Sequence, residues 1–120
     1  MFGNFVIQNK KEMNTNWTKK EFKAYILLYA AQADYSISSE EKEVILSKVD
    51  KQTYKKIKNE LKKDNDFQSI EKIQASMNIH NYSKGFLDLL INDIKEVFFS
   101  DDSFDILERN MLMFLKKVLK

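Results

Sequence analysis

A chain of 120 residues with no proline, two glycines and no cysteine has the length of one domain, and so few turn formers exclude a β-sandwich or barrel. The missing cysteine removes disulfides, thiolate metal sites and a cysteine nucleophile together. Twenty basic residues against eighteen acidic ones leave a net charge of +2, too even for a dedicated nucleic-acid binder.

Residues 1–17 carry Asn, Lys and scattered aromatics without a clear period. They read as an N-terminal arm, with Phe2, Phe5 and Val6 docking on the core and Trp17 stapling the arm down. The first seven residues lack the basic start and long apolar stretch of a signal peptide, and Phe2 stands where a myristoylation signal needs glycine. The longest apolar runs, 24–31 and 86–94, are interrupted by polar residues and too short to cross a bilayer. The expected setting is cytoplasmic, with neither nucleic acid nor a membrane surface among the partners.

The folded domain is expected over 18–120. Thr18 with Glu21 forms a capping-box pattern that starts a first helix, and Phe22, Ile26, Tyr29 and Ala33 recur at helical spacing along one stripe. Leu27 and Leu28 widen that stripe, which makes this helix central. Ser38 with Glu41 repeats the box and starts a second helix with Val44, Ile45 and Val49 inward. After a break near Asp50, Tyr54, Ile57 and Leu61 mark a third, narrower helix. Asp64-Asn65-Asp66 is a loop in which Asp66 caps a fourth helix (Phe67, Ile70, Ile73, Met77). Residues 78–81 form a junction, and the fifth helix runs from about Ser83 to Phe99. It is apolar on most sides, which belongs in the middle of a bundle. Asp105 caps a sixth helix carrying Met111, Leu112, Leu115, Val118 and Leu119. The expectation is an all-α, compact single-domain bundle of about six helices.

One acidic pattern occurs twice in this frame. Asp34-Tyr35-Ser36-Ile37-Ser38-Ser39-Glu40-Glu41 returns as Asp101-Asp102-Ser103-Phe104-Asp105-Ile106-Leu107-Glu108, each followed by a base, Lys42 or Arg109. The copies lie 67 positions apart (101 minus 34), so helices one–two and five–six read as pseudo-equivalent hairpins. Carboxylate and hydroxyl oxygens at alternate turn positions suit a hard divalent cation. Asp101, Ser103 and Asp105 match the opening of a calcium-binding EF-hand loop, but position six lacks its glycine and position twelve its glutamate. Capping accounts for Ser38, Asp105 and both glutamates without a metal. It accounts less well for Asp34 and Asp101, because an acid ending a helix opposes the dipole. Both readings stay open: a cation site, or caps alone.

These residues resemble a known family. The run from Leu27 through Asp34 and Glu41 to Ile45 is similar to the signature of TerB-like, tellurite-resistance domains, and Phe98 through Asp101 to Glu108 is similar to their C-terminal motif. The likeness covers about residues 18–119. It implies an all-helical fold of duplicated hairpins, a non-enzymatic stress-response role, and divalent-cation binding (Ca²⁺, Mg²⁺ or Mn²⁺) at Asp34, Glu41, Asp101 and Glu108. Where the family usually has glycine after each aspartate, this chain has Tyr35 and Asp102, and a left-handed helix end favours glycine there.

The remaining features carry less. Lys51, Lys55, Lys58 and Lys62 line one face of the third helix and read as a solvated face. No aromatic interleaves them as single-stranded nucleic acid would require. His80, the sole histidine, reads as a loop residue, since it cannot build an ordinary zinc site alone. Phe98, Phe99 and the five methionines read as plain core. Gly3 and Gly85 stand alone, so no phosphate-binding loop exists. No catalytic constellation is visible and no enzyme is expected. The other expectation is a protein-interaction module, with another protein or a second copy as partner, in which the acids serve only as caps.

Overall fold

Capping chemistry sets where the helices begin, and their apolar faces set how they stack. The computed structural model of the chain describes residues 16–34, 36–100 and 104–120, without the side chain of Asp34. Among them are six α-helices and no strand: α1 Lys19–Ala31, α2 Ser39–Lys48, α3 Lys51–Lys63, α4 Asp66–His80, α5 Lys84–Phe98 and α6 Ile106–Val118. Each starts after an extended residue whose side chain accepts the backbone N–H three residues on: Thr18, Ser38, Asp50, Asn65, Ser83 and Asp105. The cap of α4 is Asn65, where Asp66 was expected. Both residue types cap well, and Gln68 decides between them by returning its side chain to the Asn65 N–H at 2.9 Å. The expected loop residue His80 is the last residue of α4, stacked on Tyr82. Asn81 then leaves the helix in the left-handed conformation (φ 48°), which asparagine tolerates better than most residues.

Helix α1 is the axis of the bundle and packs against α2, α3, α4, α5 and α6. Phe22, Tyr25, Ile26, Leu27 and Leu28 are wholly buried on it, each stabilising the fold by roughly 1.5–3 kcal/mol relative to an exposed position. Helix α5 departs from the sequence expectation. It buries a single stripe, Leu87, Leu90, Asp93, Ile94, Val97 and Phe98, while Leu89 is 65% exposed. Asp88, Asn92 and Glu96 recur at four-residue spacing and hold its opposite face in water. Phe99 and Met113, expected in the core, are also exposed.

The start of α1 is tied to α3 and α4 by ring and polar contacts. Trp17 is buried with its ring 4.5 Å from that of Tyr25, and its Nε1 donates to Glu60 at 3.2 Å. Lys72 bridges Glu60 (2.9 Å) and Asp64 (2.8 Å), and Tyr25 donates to Asp64 at 2.7 Å. The network joins α1, α3 and α4, and burial lifts the Tyr25 hydroxyl well above the ordinary tyrosine range. Phe2, Phe5 and Val6 lie outside the described residues.

The two hairpins share their boundaries. Helix α1 ends at Ala31 and α5 at Phe98; α2 begins at Ser39 and α6 at Ile106, each displaced by 67 positions (98 minus 31, 106 minus 39). Even the closing residues agree, Gln32 at φ −86°, ψ 8° and Phe99 at φ −90°, ψ 3°.

Candidate functional site

The junction after α1 continues as a 3₁₀ turn, Gln32–Asp34, and that turn packs against α6. The first copy of the acidic pattern therefore meets the helix that the second copy caps. Ile37 and Phe104 hold matching places in the two copies, and both are half-buried against the core. They draw the chain inward just before each cap.

Both capping boxes close. Ser38 Oγ accepts from the Glu41 N–H at 3.1 Å, and Glu41 Oε1 accepts from the Ser38 N–H at 2.9 Å. Asp105 Oδ1 accepts from the Glu108 N–H at 2.9 Å, and Glu108 Oε1 accepts from the Asp105 N–H at 3.3 Å. What sets these boxes apart is burial: Glu41 is 1% exposed and Glu108 2%. The two side chains lie beside each other, so two acids 67 positions apart share one enclosed space.

That arrangement has an electrostatic consequence. Burial first, then the neighbouring Asp105 and Glu41 carboxylates, push the Glu108 carboxyl up to about 7. Two carboxylates this close resist ionising together, so the pair holds a proton or wants a positive charge. The bases that follow do not fill that role. Lys42 lies over the Tyr54 ring at 5.8 Å and Arg109 over the Phe104 ring at 5.5 Å.

Of the four residues expected to form a cation site, Glu41 and Glu108 are thus brought together. Asp101 lies outside the described residues, as does the side chain of Asp34, whose backbone ends the 3₁₀ turn. Tyr35 and Asp102, at the family's glycine positions, lie outside them too. The expected acidic patch was open to solvent, whereas the half that is described is an enclosed pair. Its chemistry fits a hard cation in part. Carboxylate oxygens are the right donors, but two side chains fall short of the six to eight oxygens that Ca²⁺ takes. A cavity of about 460 Å³ opens beside the first junction, touching Gln32, Ala33, Asp64 and Asp66. Its acids are already engaged, Asp64 by Tyr25 and Lys72 and Asp66 by the Tyr29 hydroxyl at 2.7 Å.

One charged cluster escaped the sequence reading. Asp93, 9% exposed on α5, binds Lys23 of α1 at 3.1 Å and Lys48 of α2 at 3.3 Å, and Lys48 also reaches Glu96 at 2.9 Å. The Glu96 hydrogen bond, then Asp93, hold the Lys48 ammonium above its ordinary range against the opposing effect of burial. Asp93 falls inside the apolar stripe of α5, and only that interruption hinted at a buried ion pair.

The lysine face of α3 is solvated as expected: Lys51, Lys55 and Lys62 are exposed and Lys58 lies over the Tyr54 ring. Among the described residues no helix is long and apolar enough to cross a membrane. Comparison with known proteins finds no matching family model, no matching curated protein and no matching solved structure. The likeness to TerB-like domains therefore rests on the motif residues quoted above.

Proposed function

We propose that this chain is a non-enzymatic, TerB-like stress-response domain that binds a divalent cation where its two acidic junctions meet. The observation that carries the reading is the meeting of Glu41 and Glu108, buried side by side although each belongs to a different copy of the motif. Capping alone does not call for it, since a box closes equally well on an exposed helix end. In this reading Glu41 and Glu108 contribute carboxylate oxygens, and the junction aspartates Asp34 and Asp101 contribute the rest. The bound ion would be Ca²⁺, Mg²⁺ or Mn²⁺, and it would offset the repulsion that otherwise retains a proton. The stress-response role follows from the motif resemblance alone.

Thermal unfolding tests the reading. The wild type is melted in EDTA and then in millimolar Ca²⁺, Mg²⁺ or Mn²⁺, beside an Asp34→Asn/Asp101→Asn variant. A cation-dependent rise in melting temperature that the variant lacks supports the site, because a ligand that binds only the native state stabilises it. No rise in the wild type removes it. The second reading, a protein-interaction module whose acids are only caps, is favoured by one observation: both boxes are complete without an ion.

A further inference from the structure

Helices α4 and α6 flank α1 and run in the same direction without closing on each other. Three cavities lie along the seam between them, the second and third sharing Met77 and Lys120. The first, about 290 Å³, lies between Ile70 of α4 and Met111 and Phe114 of α6. The next, about 300 Å³, lies between Met77 and Val118. The third, about 810 Å³, again touches Met77 and widens onto α5. All five of these apolar side chains are half-buried against the core rather than enclosed in it. The seam follows most of α6, whose 13 residues span roughly 20 Å. That is between three and four helical turns, and methionine on both walls gives a surface that can adapt to what lies on it.

Basic residues line the wide cavity, which runs along α5 from Lys84 in its first turn to Lys95 in its last. Lys84, Lys95, Lys116 and Lys120 border the 810 Å³ cavity, with Asp88 as the one acid among its lining residues. None of the four lysines has an ion-pair partner within 4.0 Å among the described residues.

We infer that the α4–α6 seam is a docking groove for an amphipathic helix of a partner protein, with acidic residues along the part that lies over the wide cavity and its Lys84, Lys95 and Lys116. Apolar residues one turn apart on that helix fill the seam, and the acids meet the unpaired lysines. A second copy of this chain fits less well, since a two-fold contact through the groove gathers both sets of lysines together. The chain's own arm is also a poor match, because Lys10 and Lys11 outnumber Glu12 there.

The test uses the full chain and two fluorescein-labelled helical peptides of about 16 residues. Both have leucine at three- and four-residue spacing, one with glutamate crowding one end and the other with lysine there. Fluorescence anisotropy is expected to give saturable, micromolar binding of the acidic peptide, weakened on the order of tenfold by Lys84→Glu/Lys95→Glu/Lys116→Glu and by exchanging the acidic peptide for the basic one. Methyl NMR locates the contact: the Met77 and Met111 methyl signals are expected to shift and that of Met113 to stay. Equal affinity for both peptides, absent binding, or shifts confined to Met113 overturns the proposal. So do contacts of the Met77 and Met111 methyls with Phe2 or Phe5 in the free chain, or self-association in sedimentation that moves those same signals. Those results assign the groove to the arm or to a second copy.

Discussion

Two capping boxes in this molecule use the same chemistry and end in opposite electrostatic states. At the start of α1, Glu21 closes its box on Thr18 and takes a salt bridge from Lys56 at 2.7 Å. That hydrogen bond, with the Thr18 N–H, lowers the Glu21 carboxyl below its ordinary value. At the start of α6, Glu108 closes the same box on Asp105 but faces Glu41 inside the protein, and its carboxyl rises to about 7. The backbone bonds are equivalent; the partner across the gap differs. A cap is therefore a local device, and whether it also becomes a site depends on what the tertiary fold sets opposite it.

The equivalence of the two hairpins rests first on the apolar residues one turn beyond the buried glutamates. Ile45 and Leu112 hold matching places in the two hairpins and both are buried. Alanine at either should cost about 2–5 kcal/mol in urea unfolding. Similar costs are expected if the hairpins are equivalent, and a cost under about 1 kcal/mol at Leu112 alone would show that the second is seated differently.

Removing the charge of Glu108 should produce the next largest effect. In EDTA at pH 8, Glu108→Gln keeps an oxygen for the Asp105 N–H and removes the repulsion, so its melting temperature should exceed that of the wild type. The pH dependence follows from the same shift. A carboxyl raised from 4.5 in the unfolded chain to about 7 in the fold contributes its full stability below pH 4.5. It loses that contribution as pH rises toward 7, because the unfolded state ionises more readily. The wild type in EDTA should therefore melt lower at pH 8 than at pH 5, and Glu108→Gln should flatten that difference. An unchanged difference in the variant would place the titrating group elsewhere.

The caps themselves come next. Ser38→Ala should cost about 1 kcal/mol. Asp105→Ala should cost less at pH 8, because Asp105 also adds to the charge around Glu108. Equal losses, compared by chemical denaturation, would mean that the pair carries no net repulsion. The smallest effect belongs to the exposed counterpart. Lys56→Ala should leave the melting temperature nearly unchanged, since a solvent-screened ion pair contributes little. A large drop there would erase the contrast between the two boxes.

How much of this was legible beforehand follows the range of the interactions. Thr18, Ser38 and Asp105 with their glutamates were readable because a capping box spans four residues. Asp66 was mistaken for the α4 cap in place of Asn65 because neighbouring residues of similar capping strength differ only in which partner answers. The wide apolar face assigned to α5 failed because Leu89 and Phe99 lie on the side kept wet by Asp88, Asn92 and Glu96. The 67-residue offset foretold equivalent junctions, and the helix boundaries carry the same offset. It could not foretell that Glu41 and Glu108 are enclosed, since burial depends on how α1, α5 and α6 pack. Asp93 was hidden for the same reason: its partners Lys23 and Lys48 come from two other helices.

The proposed cation site sets the buried glutamates between the two hairpins, with Asp34 and Asp101 supplying further oxygens. Calorimetric titration of Ca²⁺, Mg²⁺ and Mn²⁺ into the wild type and a Glu41→Gln/Glu108→Gln variant tests it most directly, with native mass spectrometry to count the ions. Saturable binding of one ion per wild-type chain by at least one of these metals is expected, and none by the variant. No binding to the wild type, or equal binding to both proteins, would contradict it.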